Sequence, residues 1–218
     1  MIKSMSMCVL ALLVGLGTAH AGGDYKKLYK ITIKNLTTGQ PLTPALIAVH
    51  SPNYKLVKLG EKASSGLSAL ARDGVTSILA NELKAQKKVV RTKTGTGVIL
   101  PGQSESIIVE ANNPKFKLSL VSMLARTNDA ISVLNSATLK LRKGQKAYYL
   151  TDVYDAGVEA NTESCSDIPA PPCGSHNVGQ DEDSFIRPHA GIQVIGDLEA
   201  NRDAFASKVS KVIIERIQ

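Results

Sequence analysis

A chain of 218 residues is long enough for one sizeable core or two small ones, and its formal net charge of +7 makes it basic. With no Trp, three Phe and scattered Lys, it lacks the stacking rings that single-strand nucleic-acid binders use. The basic residues therefore read as a solvated surface, with an anionic envelope or polysaccharide as the matching class of partner and nucleic acid excluded.

The chain opens with Lys3, an apolar run from Met7 to Leu16 and the small-residue triplet Ala19-His20-Ala21. This pattern predicts a secretory signal over residues 1–21, cut after Ala21, and a mature chain beginning at Gly22. The run is too short to span a bilayer, so no transmembrane segment is expected. Cys8 lies near its beginning, where a lipoprotein anchor cannot use it. Export to the periplasm or the extracellular space leaves an even pair, Cys165 and Cys173, which an oxidising compartment should join. Their spacing matches no zinc pattern. The stiff run Ile168-Pro169-Ala170-Pro171-Pro172 between them has no helical future.

In the mature chain, Tyr29 to Asn35 alternates strictly and predicts a half-buried strand, and Leu46 to His50 predicts a second. Apolar residues then recur at three and four, from Leu67 to Leu83, with Asp73-Gly74 breaking the run. This predicts two short helices within an insertion from Gly60 to Lys88. Thr92 to Leu100 and Ser104 to Ala111 read as a hairpin around Pro101-Gly102. Phe116 to Leu124, Ile131 to Leu141 and Ala147 to Tyr154 read as further strands, with Gly191 to Ile195 and Lys208 to Ile217 as late ones. Eight or nine short strands at these spacings predict a mainly β protein, a single antiparallel β-sandwich over residues 22–218.

Residues 151–186 hold eight of the nineteen acidic residues and no Lys or Arg. A one-sign stretch in a basic chain asks for a cation, and the carboxylates and amides of Asp155, Glu159, Asn161 and Glu163 alternate around Gly157 as an oxygen-ligated ion such as calcium requires. Asp129, at the end of another strand, could converge with them. Spacing equally allows two ordinary polar loops that never meet. His50, His176 and His189 are isolated and read as structural or solvated. There is no Gly-x-Ser-x-Gly elbow, and Gly95-Thr96-Gly97 lacks the later Gly and Lys of a phosphate loop, so no motif for catalysis is present.

Ala45 to His50, Gly60-Glu61-Lys62-Ala63-Ser64-Ser65-Gly66-Leu67 with Asp73-Gly74, Ser122-Met123-Leu124 through Asn128-Asp129-Ala130, and Tyr154-Asp155-Ala156-Gly157-Val158-Glu159 together resemble the spondin N-terminal domain in its bacterial, stand-alone form. The resemblance runs from about Tyr29 to Ile217. It implies an extracellular Greek-key sandwich similar to calcium-dependent lipid-binding domains, one calcium ion in the loops, a role in adhesion or extracellular ligand binding, and no enzymatic activity. By position it assigns Asp129, Asp155 and Glu159 as calcium ligands. The chain departs at Val158, where a Thr is expected, and in having no Trp.

Two functions of different class follow: a non-catalytic, calcium-stabilised module binding an extracellular protein, polysaccharide or cell-surface ligand, or an exported hydrolase whose catalytic carboxylates lie in 151–186. An enzymatic pair needs one carboxyl raised by an apolar pocket, whereas a calcium cluster keeps its carboxylates ionised. The small, polar neighbours of Asp155 and Glu159 favour the ion.

Overall fold

The computed structural model describes residues 26–175 and 179–218. The expected signal segment, its cut before Gly22, Cys8 and His176 lie outside the described residues. Among the described residues ten strands form two antiparallel sheets that face each other across one core.

The first sheet has four strands in the order β4 (Ser104–Glu110), β1 (Leu28–Asn35), β10 (Ser210–Arg216), β7 (Lys146–Leu150). Strand β1 alternates as its sequence requires: Tyr29, Ile31 and Ile33 are fully buried in the core, and Lys30 and Lys34 face outward. The second sheet has six strands in the order β3 (Val89–Thr94), β2 (Leu46–His50), β5 (Lys117–Met123), β6 (Ala130–Thr138), β8 (Asp152–Asp155), β9 (Arg187–Pro188). Strand β2 is buried at every position, because one of its faces meets the first sheet and the other is covered by helices.

Those helices are α1 (Ser65–Asp73) and α2 (Thr76–Ala85), which lie within the expected insertion. Leu67, Leu70, Leu79 and Leu83 pack on Leu46, Val121, Met123 and Ile131 of the second sheet. Ser64 caps α1 by accepting the Leu67 N–H, and Gly74 ends it in the left-handed conformation at φ 68°. Glu82 of α2 reaches back to the start of α1, accepting from the Gly66 N–H at 2.6 Å and the Ser64 hydroxyl at 2.6 Å. A third helix, α3 (Ala200–Asp203), is a single turn.

Three expectations need correction. Residues 92–111 are not a hairpin: β3 pairs with β2 in one sheet and β4 with β1 in the other, so the chain crosses between sheets along residues 95–103. Ala147 to Tyr154 is not one strand, since it changes sheets at Thr151, leaving β7 in the first and β8 in the second. The buried Thr151 hydroxyl holds that corner, accepting from Ser132 Oγ at 2.9 Å and from the Ser210 N–H at 3.1 Å. Gly191 to Ile195 is not a strand either. The Glu163 carboxylate takes the N–H groups of Gln193 (2.5 Å) and Ile195 (3.0 Å), and Val194 has φ 59°, which no strand allows.

Candidate metal centre

Asp129 immediately precedes β6 and Asp155 is the last residue of β8. Because Ala130 pairs with Asp155 across those strands, the topology brings both carboxylates to one end of the second sheet. Both are buried. The chain then turns sharply at Gly157, whose φ of 69° is left-handed and whose Cα lies where an added Cβ would sit 2.8 Å from the Ser184 backbone.

Asp129 Oδ2 accepts two backbone N–H groups of that turn, from Val158 at 2.8 Å and Glu159 at 3.1 Å. Its other oxygen, Oδ1, is buried and meets no donor among the described residues. Burial, and then the Asp155 charge beside it, push this carboxyl up to about 7, against the pull of the two N–H groups. Asp155 is better served: Oδ1 accepts from the Gly157 N–H at 2.8 Å, and Oδ2 from Asn161 Nδ2 at 2.6 Å and Arg187 Nη2 at 2.8 Å.

The Glu159 side chain turns elsewhere. Its Oε1 accepts from the Gly179 N–H at 3.0 Å and lies 3.6 Å from Arg72 Nε. Its charged neighbours are Arg72, Asp73 and Asp167, and burial pushes its pKa up. What Glu159 gives Asp129 is its backbone N–H. Val158, the position where a Thr is expected, contributes its main chain in the same way, the N–H to Asp129 and the C=O to Arg72 Nη2 at 2.8 Å.

The acidic stretch proves to be threaded by bases from outside it. Arg72 of α1 pairs with Asp181 and approaches Glu159, Lys62 meets Asp183 at 2.7 Å, Lys208 meets Asp152, and Arg187 bridges Asp155 and Glu182. Asn128 Oδ1 accepts the Glu163 N–H at 3.2 Å, tying the loop before β6 to the stretch again. His50, one of the isolated histidines, bonds Ser119 Oγ at 2.8 Å, and burial lowers its pKa, as a structural histidine requires. His189 is also held low by burial, with its Nε2 buried and unpartnered among the described residues.

A disulfide joins Cys165 and Cys173. Arg126 fastens its loop to the sandwich, donating to Pro171 O at 2.6 Å and Gly39 O at 2.9 Å. Among the described residues no three His, Cys, Asp or Glu side chains converge as a metal cluster. The fit of calcium is therefore that of a carboxylate pair. Asp129 Oδ1 is an acceptor in want of a partner, and backbone oxygens and water would have to supply most of the six to eight ligands. Asp129 and Asp155 suit that role, whereas the Glu159 carboxylate is already engaged with Gly179 and Arg72.

A family model described as Spondin_N matches residues 34–175, more than half of the chain. The chain belongs to the Spondin_N family. The Spondin_N match encloses Asp129, Asp155 and Glu159, the disulfide cysteines Cys165 and Cys173, and helices α1 and α2, and ends before Arg187. A search of curated proteins returned no match. Arg187 and Arg72 are the residues of this centre that sequence reasoning missed. Arg187 stands one residue past the acidic stretch, so the first base after a one-sign run was the available signal.

Proposed function

We propose that this Spondin_N protein is an exported, non-catalytic module for adhesion or extracellular ligand binding, whose loops are stabilised by one calcium ion at Asp129 and Asp155. The observation that carries this reading is Asp129, a buried carboxylate beside a second one, with an oxygen that no donor among the described residues reaches. Such a group either keeps a proton or meets a cation. Calcium, when bound, would neutralise the pair and link β6 to the turn after β8. The disulfide and the family favour a place outside the cytoplasm.

The hydrolase alternative takes its catalytic carboxylates from 151–186, where burial raises the Glu159 pKa in the sense that a general acid is tuned. Access argues against it. Glu159 and Asp129 Oδ1 are buried, and the groove of about 510 Å³ beside the acidic stretch is lined by Lys62, Ser68, Arg72, Val158, Asp181 and neighbours rather than by Asp129, Asp155 or Glu159. A buried oxygen can meet an ion through a loop motion more easily than it can meet a bond to be hydrolysed.

Calorimetric melting in calcium and in chelator tests the proposal. Calcium at a hundred times its dissociation constant should add about 2.7 kcal/mol, while magnesium, which dehydrates reluctantly, should add little. Asp155→Asn should remove the calcium-dependent part and keep the fold. Identical melting of wild type with calcium and with chelator refutes the ion.

A further inference from the structure

The four-stranded sheet turns one face away from the core. Its residues stand in rows fixed by the strand register, and in one row Lys34 of β1 lies directly opposite Lys211 of β10. Like charges opposite each other on neighbouring strands repel, and a folded surface ordinarily relieves them with a carboxylate. Here none does: among the described residues neither lysine is in an ion pair, and Lys211 Nζ stands 5.1 Å from the centre of the Tyr148 ring. Two rows along, Lys30 lies opposite Glu215, but it is Lys146 that pairs with Glu215, at 3.5 Å. The face thus holds four lysines, Lys30, Lys34, Lys146 and Lys211, against two carboxylates, Glu215 and, on the edge strand β4, Glu110, which is engaged by Lys26 and Arg91. Between the lysine rows stand the hydroxyls of Thr32 and Ser106, 2.8 Å apart.

We propose that this face binds an acidic polysaccharide. Lys30 and Lys34 are four residues apart on one strand, so two groups of positive charge sit about 13 Å apart on a flat surface. That suits a linear polyanion with repeating charges. The hydroxyls between offer hydrogen bonds to sugar oxygens, and Tyr148, 59% exposed, offers an edge against which a sugar ring can lie. An anionic membrane fits less well. The exposed aliphatic chains Ile108 and Leu150 stand on the two edge strands, β4 and β7, with the lysine-bearing strands β1 and β10 between them. The inference names a ligand class for the extracellular module proposed above, but it does not depend on calcium, because the carboxylates of the ion centre belong to the other sheet.

The test is binding of the full mature chain to immobilised polygalacturonate and dextran sulfate, with neutral dextran and phosphatidylglycerol-containing vesicles alongside. Expected are binding to both acidic polymers that falls steeply with salt, none to neutral dextran, and no change with chelator. The double variant K34Q/K211Q should bind at least tenfold more weakly, whereas K55Q/K58Q, with the same change in net charge on the helical side, should bind as wild type. Circular dichroism checks that both variants fold. Equal loss in both variants would reduce the effect to net charge and overturn the site. Binding to vesicles but not to the polymers would overturn the ligand class. Calcium-dependent melting is read separately, so the failure of either proposal leaves the other standing.

Discussion

Arg187 Nη2 stands 2.8 Å from Asp155 Oδ2 and 2.8 Å from both oxygens of Glu182. The guanidinium is thus the resident countercharge of Asp155, on the carboxylate a calcium ion would share. Both carboxylates act on it in turn, and they raise its own pKa. Replacing it, as in R187Q, should destabilise the calcium-free protein by about 1 to 2 kcal/mol, less than for a fully buried pair because Arg187 is 38% exposed. The same variant should bind calcium several-fold more tightly, since the ion no longer competes with a tethered cation. Unchanged or weaker calcium affinity by titration calorimetry would remove Arg187 from that role.

Asp129 sets a pH dependence with a definite sign. Its folded pKa of about 7 lies above the ordinary 3.8, so the folded state holds the proton more tightly than the unfolded chain. Calcium-free stability should therefore fall as pH rises from about 4 to about 7, by roughly 4 kcal/mol at most. His189 works in the opposite sense: its pKa is lowered by burial from the ordinary 6.5, so the fold loses stability as pH falls below that value. The contrast between wild type and D129N isolates the first effect. A D129N stability curve parallel to wild type in chelator would mean that Asp129 titrates normally.

Gly66 fixes how the two helices cross. A Cβ there would lie 2.5 Å from Leu79 Cα and 2.6 Å from Leu79 N, backbone atoms that cannot step aside cheaply. Gly66→Ala should cost about 1 to 3 kcal/mol by overpacking, read as a lower denaturant midpoint. A neutral result would show that α1 and α2 separate freely.

The disulfide closes a short loop, with Cys165 and Cys173 eight residues apart. Replacing both with Ser should lower stability by about 2 to 3 kcal/mol on the loop-entropy account while leaving the far-ultraviolet spectrum unchanged. Loss of the whole β signal would give the bridge a larger role than a local tether.

Much of the sandwich is legible in the sequence because burial on one face imposes a period of two, as in Tyr29, Ile31 and Ile33. The helical insertion is legible for the matching reason, a spacing of three and four stopped by Gly74. Period says nothing about which sheet a strand joins. Ala147, Tyr149, Thr151, Val153 and Asp155 keep one phase straight through the change of sheet, so the corner at Thr151 leaves no mark in the pattern. At the candidate site, Asp129 and Asp155 are legible as carboxylates at strand ends. Glu159 is not, because spacing alone cannot tell a residue that offers its carboxylate from one that offers its backbone N–H.

The register of β1 has a consequence in time. Tyr29 pairs with Arg216, and Asn35 with Ser210, so the second strand to flank β1 is the last one among the described residues, and it is also the strand that carries β7. The pairing with β4 can form first, but the far edge of β1 waits until Ser210 to Arg216, about 180 residues further on, have been supplied. Loop closure over such a distance is slow, and an open edge that alternates Tyr and Ile is one that another unfinished copy can pair with. Folding of this protein should therefore be rate-limited by the arrival of Ser210 to Arg216, with any helper that shields β1 in the meantime raising the yield rather than the final stability.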